Sequence, residues 1–289
     1  MSGKPVRLEL SREQILGYRR EAGWLNERLP ASAKSLRLVA SAGLQDSMPR
    51  AALFSMHARV KGCGSDFWEH PSLVQLWGPR FNVYVVAAKD LPVFSLGRLP
   101  DNARGRKRAY DTASRLQALL DGRRMPMNQA GKTMGLHPNS FRYAAPTGTV
   151  LLRWDGAHDA VVWSGPPPKA EPPEARLELA RRYLHIFGPS MVPSFAGWAG
   201  IGTSEATAVS MDSQVSCRLC TRRSAMLGSL PMTKLGSGKP LPRSPLRQHV
   251  FCPAATLTFC CGHETETFLC PTQNDGQSFG QRAFGPAHC

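Results

Sequence analysis

Between Val209 and Ser210 the chain loses its hydrophobic periodicity, and that seam bounds what the sequence can fold into. Before it, apolar residues recur at helix and strand spacing, with caps and turn residues between them. Beyond it that regularity is missing, and seven of the eight cysteines lie after residue 216. A segment without a patterned apolar stripe does not fill a core. Residues 1–209 are therefore expected to carry fold and function, and residues 210–289 to form an irregular tail. Two readings of the tail stand. Cys217, Cys220, Cys260, Cys261 and His263 have internal spacings that suit tetrahedral zinc, although the flanking text does not supply the hairpins such pairs need. The preferred alternative is text read in a shifted frame, with the break near Val209–Ser210. That reading predicts a disordered tail, no metal ion and no other cofactor.

Within the first 209 residues the elements repeat. Ser11 with Gln14 fits a capping box and opens a helix that ends near Gly23. Ser32 or Ser35 starts a second, with Leu36, Val39 and Ala40 as its stripe. Pro49 suits the first position of a third, Arg50 to Val60. Ser65–Asp66 caps a helical turn through Phe67, Trp68 and Glu69. Leu73–Trp77, the turn Gly78–Arg80 and the run Phe81–Val86 read as strand, turn, strand. Three helices and then a β-hairpin is the order of a winged helix.

The order then returns. Helices are expected over Ala109–Leu120 and Met127–Met134, the latter stopped by Gly135, and another opens at His137–Ser140 toward Tyr143. A second hairpin joins Val150–Trp154 to Ala160–Trp163 around Asp155–Gly156. Gly165–Pro173 reads as a stiff linker. Glu174–Phe187 is amphipathic, with Leu177, Ala180, Leu184 and Phe187 facing inward, and a further helix runs from Ser190–Pro193 to Gly200. The expected fold is mainly α with small β-wings. It comprises tandem winged-helix units over 1–97 and 98–165, a Pro-rich linker over 166–173, a truncated third unit over 174–209 and the irregular tail. The truncated unit is expected to expose apolar helix faces meant for missing partners.

Charge narrows the function. Lys and Arg number 36 against 21 acidic residues, a formal net charge of +15. Such a balance points to a polyanion, nucleic acid first. Ten basic and three acidic residues fall between Arg98 and Arg142, which overlaps the second helix-turn-helix. Lys132, Arg142 and the wing residue Arg80 are expected on phosphates, with Asn139 and Ser140 at the start of the recognition helix. The expected partner is double-stranded DNA. No stretch reaches the roughly 20 apolar residues of a membrane span, and the N-terminus lacks a secretory apolar region. The expectation is a cytoplasmic, nucleoid-associated protein with reduced cysteines.

Four stretches carry a resemblance: Gly43–Pro49, Ser72–Arg80, Glu178–Pro189 and Phe195–Gly200. Together they resemble the bacterial winged-helix proteins related to the AlkZ DNA glycosylases, over about Leu8 to Val209. The resemblance implies tandem winged helices in a C-shaped DNA-binding body, closed by a β-rich C-terminal domain. Its glycosylase members excise alkylated purines, crosslinked ones included. Read one nucleotide earlier with permitted codons, Ser224–Leu235 and His249–Gly262 spell text similar to that C-terminal domain. Catalysis in the family lies on Gln-x-Gln or Gln-x-Asp, which matches Gln45-Asp46-Ser47 here. Gln45 fits; Ser47 departs, being shorter than Gln and a poor base, and Asp46 is expected to point elsewhere. Asn82 and Tyr84 also stand where members often carry Thr and His. Two functions follow: a duplex DNA-binding protein of this type, catalytically impaired or truncated, or a monofunctional glycosylase excising alkylated bases in DNA repair, with Gln45 orienting water. Enzyme status stays open, because Gln45 could equally bond only locally.

Overall fold

Ser11 caps the first helix: its hydroxyl accepts the Gln14 amide, and the Gln14 side chain accepts the Ser11 amide. In the computed structural model, which describes residues 11–48 and 50–211, this capping box opens α1 (Arg12–Ala22), which stops at Gly23. α2 (Ala33–Val39) is capped by Ser32 and buries Leu36 and Val39. β1 (Leu44–Gln45) follows, a two-residue strand that the sequence pattern does not announce. α3 (Ala51–His57) is shorter than the expected Arg50–Val60. At its start Arg50 sits at φ 64, a left-handed conformation that cannot continue a right-handed helix. At its end Val60 is drawn into a bridge with Leu29. A 3₁₀ turn at Phe67–Glu69 leads to β2 (Leu73–Trp77) and β3 (Val83–Ala87). β1 and β2 flank β3, both antiparallel, with Leu44 opposite Val85 and Trp77 opposite Val83.

The second unit repeats this succession. α4 (Leu91–Ser95) and a 3₁₀ turn at Leu96–Arg98 lead into α5 (Ala103–Leu120). α5 starts earlier than the expected Ala109, because the Asn102 side chain accepts the Gly105 amide at 2.7 Å and caps it. β4 (Met125–Pro126) precedes α6 (Met127–Met134), which ends as expected at Gly135, φ 64. β5 (Val150–Arg153) and β6 (Val161–Ser164) complete a sheet of order β4-β6-β5. The expected recognition helix is a six-residue 3₁₀ helix, Pro138–Tyr143. Pro138 sets its first turn, Phe141 is pulled fully into the core, and a separate 3₁₀ turn with Pro146 follows at once. The fold is mainly α with two small three-stranded β-sheets.

α7 (Pro172–Phe187) takes Pro172 and Pro173 as its first two residues, so the linker is shorter than expected. Proline lacks an amide hydrogen, which the first helical turn does not need. Its buried face is Ala175, Arg176, Leu179, Ala180, Tyr183 and Leu184. Phe187 is exposed and Leu177 only partly buried, so the inward stripe is rotated from the expected one. α8 (Val192–Ala199) ends at Gly200, and the chain is helical again over 203–211, through the Val209–Ser210 seam.

These last helices do not stand with bare faces. Leu179, Tyr183, Leu184, Phe195, Ala199, Ala206 and Val209 share one core with Leu76, Tyr84, Val86 and Phe94. Side chains alternate across a strand, so β2 and β3 serve three cores. Leu76, Tyr84 and Val86 face α7 and α8. On the opposite face Leu73 and Val85 join the α2–α3 core, while Trp77 and Val83 join that of the second unit. Close approach is needed at Gly97, where a Cβ would lie 3.0 Å from the Ala175 carbonyl. Arg176 closes this junction, donating to the carbonyls of Gly97 and Leu99 and to Asp101 at 2.6 Å. The frame-shift and zinc expectations concern residues 210–289, and all of these beyond residue 211 lie outside the described residues.

Candidate functional site

Pairing of β1 with β3 sets the orientation of the Gln45-Asp46-Ser47 segment. The Asp46 amide donates to the Val83 carbonyl at 2.7 Å, which extends the ladder one residue past β1. Asp46 turns inward and is only 2% exposed. Its Oδ1 accepts the Ala52 amide at 3.0 Å, tying down the start of α3, and its Oδ2 accepts Gln75 Nε2 at 2.8 Å. The Gln75 amide then spans to the second unit: Nε2 donates to the Trp154 carbonyl and Oε1 accepts the Trp154 amide at 2.7 Å. Burial pushes the Asp46 carboxyl above its ordinary value, against the pull of these hydrogen bonds and of the nearby Arg50 charge. Asp46 thus points away from its neighbours, as expected, and does structural work.

Gln45 and Ser47 face the other way and meet each other. Gln45 Nε2 donates to Ser47 Oγ at 2.6 Å. Gln45 Oε1 accepts Arg80 Nη2 at 2.8 Å and, more weakly, the Tyr84 hydroxyl at 3.4 Å. Arg80 comes from the turn between β2 and β3, where Arg80 and Phe81 both have positive φ, 53° and 57°. That conformation is sparsely populated for side-chain-bearing residues. Gly78 makes room for it, since a Cβ there would lie 2.9 Å from Tyr84. The structure therefore joins Gln45, Ser47 and Arg80 in one polar cluster.

Beyond Arg80 the turn reaches the second unit through aromatic rings. Phe81 lies 5.1 Å from Tyr143, and Arg98 lies 4.7 Å from the Phe81 ring centre. Arg98 is 1% exposed and donates to the carbonyls of Trp77 and Ala199, both at 2.8 Å. Burial pulls its guanidinium down to about 9, which still leaves it charged at neutral pH. The Tyr143 ring is 40% exposed and is flanked by Arg142 at 5.1 Å and Arg108 at 5.5 Å. Arg142 is half-buried, and its Nη2 donates to the Tyr143 hydroxyl at 3.3 Å, which holds it against the ring. Lys132 on α6 and Asn139 are exposed and Ser140 is half-buried, while the hydrogen bonds of Gln45 go to Ser47, Arg80 and Tyr84. Gln75, Phe81, Arg108 and Tyr143 were not singled out from the sequence. Only the basic run gave a signal for Arg108; the others depend on contacts between distant segments.

Near the tip of the second hairpin a shallow depression of about 300 Å³ is lined by Arg50, Glu69, Arg153, Asp155 and His158 among others. Arg153 pairs with Glu69 at 2.6 Å, and a hydrogen bond from His158 holds the Asp155 carboxyl below its ordinary value. Among the described residues no group of three or more His, Cys, Asp or Glu could hold a metal ion, and no helix is long and apolar enough to cross a membrane. The proposed zinc ligands lie outside the described residues.

By fold, this is a mainly α molecule with two small β-wings and a polar cluster at the turn end of the first. No known family model matches the chain, and no curated protein matches it in sequence. Among solved structures it is similar to Streptomyces sahachiroi DNA glycosylase AlkZ, with a TM-score of 0.57 and 14% identity. The likeness covers 72% of this chain and 67% of that one. At that identity the likeness is one of fold.

Proposed function

We propose that the chain is a duplex DNA-binding protein built from two winged-helix units, residues 1–97 and 98–165. The observation that carries this reading is the repeated order of helix, short strand, helix, short 3₁₀ helix and hairpin, with the last strand central in each sheet. The Phe81–Tyr143 contact supports one continuous surface, since it joins the turn that carries Arg80 to the ring on which Arg108 and Arg142 pack. A net charge of +15 supports a polyanionic partner. So does the likeness in fold to a solved DNA glycosylase.

In this reading Lys132, Arg80 and Arg142 contact phosphates, and Asn139 and Ser140 face the groove. Fluorescence anisotropy with a labelled duplex tests it. Binding should weaken steeply with salt, and Lys132→Ala should reduce the slope of log K against log salt by about 0.9, one phosphate contact. Absence of binding at low salt would end the proposal. Cytoplasmic, nucleoid-associated residence follows from the same reading.

Binding is favoured over base excision because of how the polar cluster is used. Hydrolysis at a sugar needs a water held and oriented by a reaching side chain. Gln45 is already engaged by Arg80, Tyr84 and Ser47, and both Asp46 carboxylate oxygens are committed inward. The alternative, a DNA glycosylase on alkylated bases, is tested by release of free base leaving abasic DNA. We expect none from the natural chain. Release by Ser47→Gln would identify Ser47 as the disabling departure.

A further inference from the structure

α5 carries five basic residues against one acidic residue, and helical spacing sorts the five into two groups. At 3.6 residues per turn, Arg104, Arg108 and Arg115 fall within about 40° of one another and form one stripe. All three are exposed. Among the described residues none of the three forms an ion pair. The acidic residue, Asp111, shares the stripe, but Lys107 holds its carboxylate at 2.7 Å. Arg106 lies on the far side of the helix. Its Nε donates to the Pro100 carbonyl at 3.2 Å and its Nη2 pairs with Asp101 at 3.5 Å.

Contacts fix where the stripe faces. Arg115 Nη2 donates at 2.9 Å to the Met134 carbonyl, at the end of α6. Arg108 lies 5.5 Å from the Tyr143 ring centre, and Arg142 lies 5.1 Å from the same centre. One exposed ring thus holds two guanidiniums beside the middle of the stripe, and the Phe81–Tyr143 contact links them to the turn that carries Arg80. From Arg104 to Arg115 the helix rises about 17 Å. That matches the axial run of about five phosphates on one strand, at about 3.4 Å each. The 3₁₀ helix Pro138–Tyr143 offers much less. It gives Phe141 to the core and leaves only Asn139 and Tyr143 exposed, over about 12 Å.

We infer that α5 is the element by which the second unit tracks the sugar-phosphate backbone of duplex DNA. Arg104, Arg108 and Arg115 follow the phosphates of one strand, and Tyr143 positions Arg108 and Arg142 at the centre of that track. The inference rests on the duplex-binding reading above. It assigns the second unit's affinity to the side of α5, not to the short 3₁₀ helix, and makes that affinity indifferent to base sequence.

Fluorescence anisotropy of the full chain with labelled duplexes of unrelated sequence tests this, with circular dichroism confirming that each variant is folded. Arg108→Ala and Arg115→Ala should each lower the slope of log K against log salt by about 0.9. Both should weaken binding by a similar factor on every duplex. Arg106→Ala removes the same charge from the far side and should leave the slope unchanged. Tyr143→Leu keeps every charge, so it should keep the slope while weakening binding about two- to five-fold. Unchanged slopes for Arg108→Ala and Arg115→Ala, while the natural chain still binds, would overturn the track and leave the duplex reading intact. Equal slope losses for Arg106→Ala and the stripe variants would also overturn it, since net charge alone would then explain binding. So would losses confined to one duplex sequence. No binding at low salt ends both readings.

Discussion

Asp46 holds the middle of the motif-like segment and serves the scaffold rather than the chemistry. Its carboxylate joins the start of α3 to Gln75, and Gln75 joins both to Trp154 in the second unit. Asp46→Ala leaves the Ala52 amide and a Gln75 donor buried and unpaired. The expected loss is about 2–4 kcal/mol, read as a lower urea midpoint at unchanged slope. Burial also gives this carboxyl a pH signature. A carboxyl raised above its unfolded value binds its proton more tightly in the folded chain. Its contribution is therefore largest below the unfolded value and is lost as pH rises through the folded one. Urea titrations from about pH 3 to 7 should show that fall, and Asp46→Asn should flatten it. That Asp46 points away from Gln45 and Ser47 was legible from the motif match. Its bond to Gln75 was not, because 29 residues separate them and no local spacing relates the two.

At the scale of elements, α7 shows what periodicity can and cannot read. The helix is plain in the sequence, and its expected end at Phe187 agrees with the structure. Its inward face was misjudged because the buried set contains Arg176, which a count of apolar residues leaves out. Arg176 is buried only because the carbonyls of Gly97 and Leu99 and the Asp101 carboxylate await it. Leu179 lies fully inside the core shared with β2 and β3. Leu179→Ala should cost about 2–5 kcal/mol. Because that core includes Leu76, Tyr84 and Val86, far-UV and near-UV circular dichroism should report the same lowered transition. The two-residue strands β1 and β4 escaped detection for a simpler reason. Each is too short to show alternation and is strand only through its partner.

For the whole molecule, the sheet of the first unit is the shared element. One face packs on α7 and α8, the other on the first unit's helices and on the second unit. Ending the chain after Ser164 should therefore uncover Leu76, Tyr84, Val86 and Phe94. We expect that shortened chain to bind a hydrophobic dye and to lose cooperative unfolding, even though every removed residue follows both hairpins. Retained cooperativity would show that the first two units stand without α7 and α8. The helix starts at Ser11 and Ser32, the stops at Gly23, Gly135 and Gly200, both hairpins, the basic balance and the repeated order of elements could be read from residues alone, since caps, glycines, alternation and charge act over a few neighbours. Which faces meet could not. The joining of Arg80 to Gln45 and the covering of the last helices arise between residues far apart in the chain, where packing and the pairing of buried polar groups select the partner.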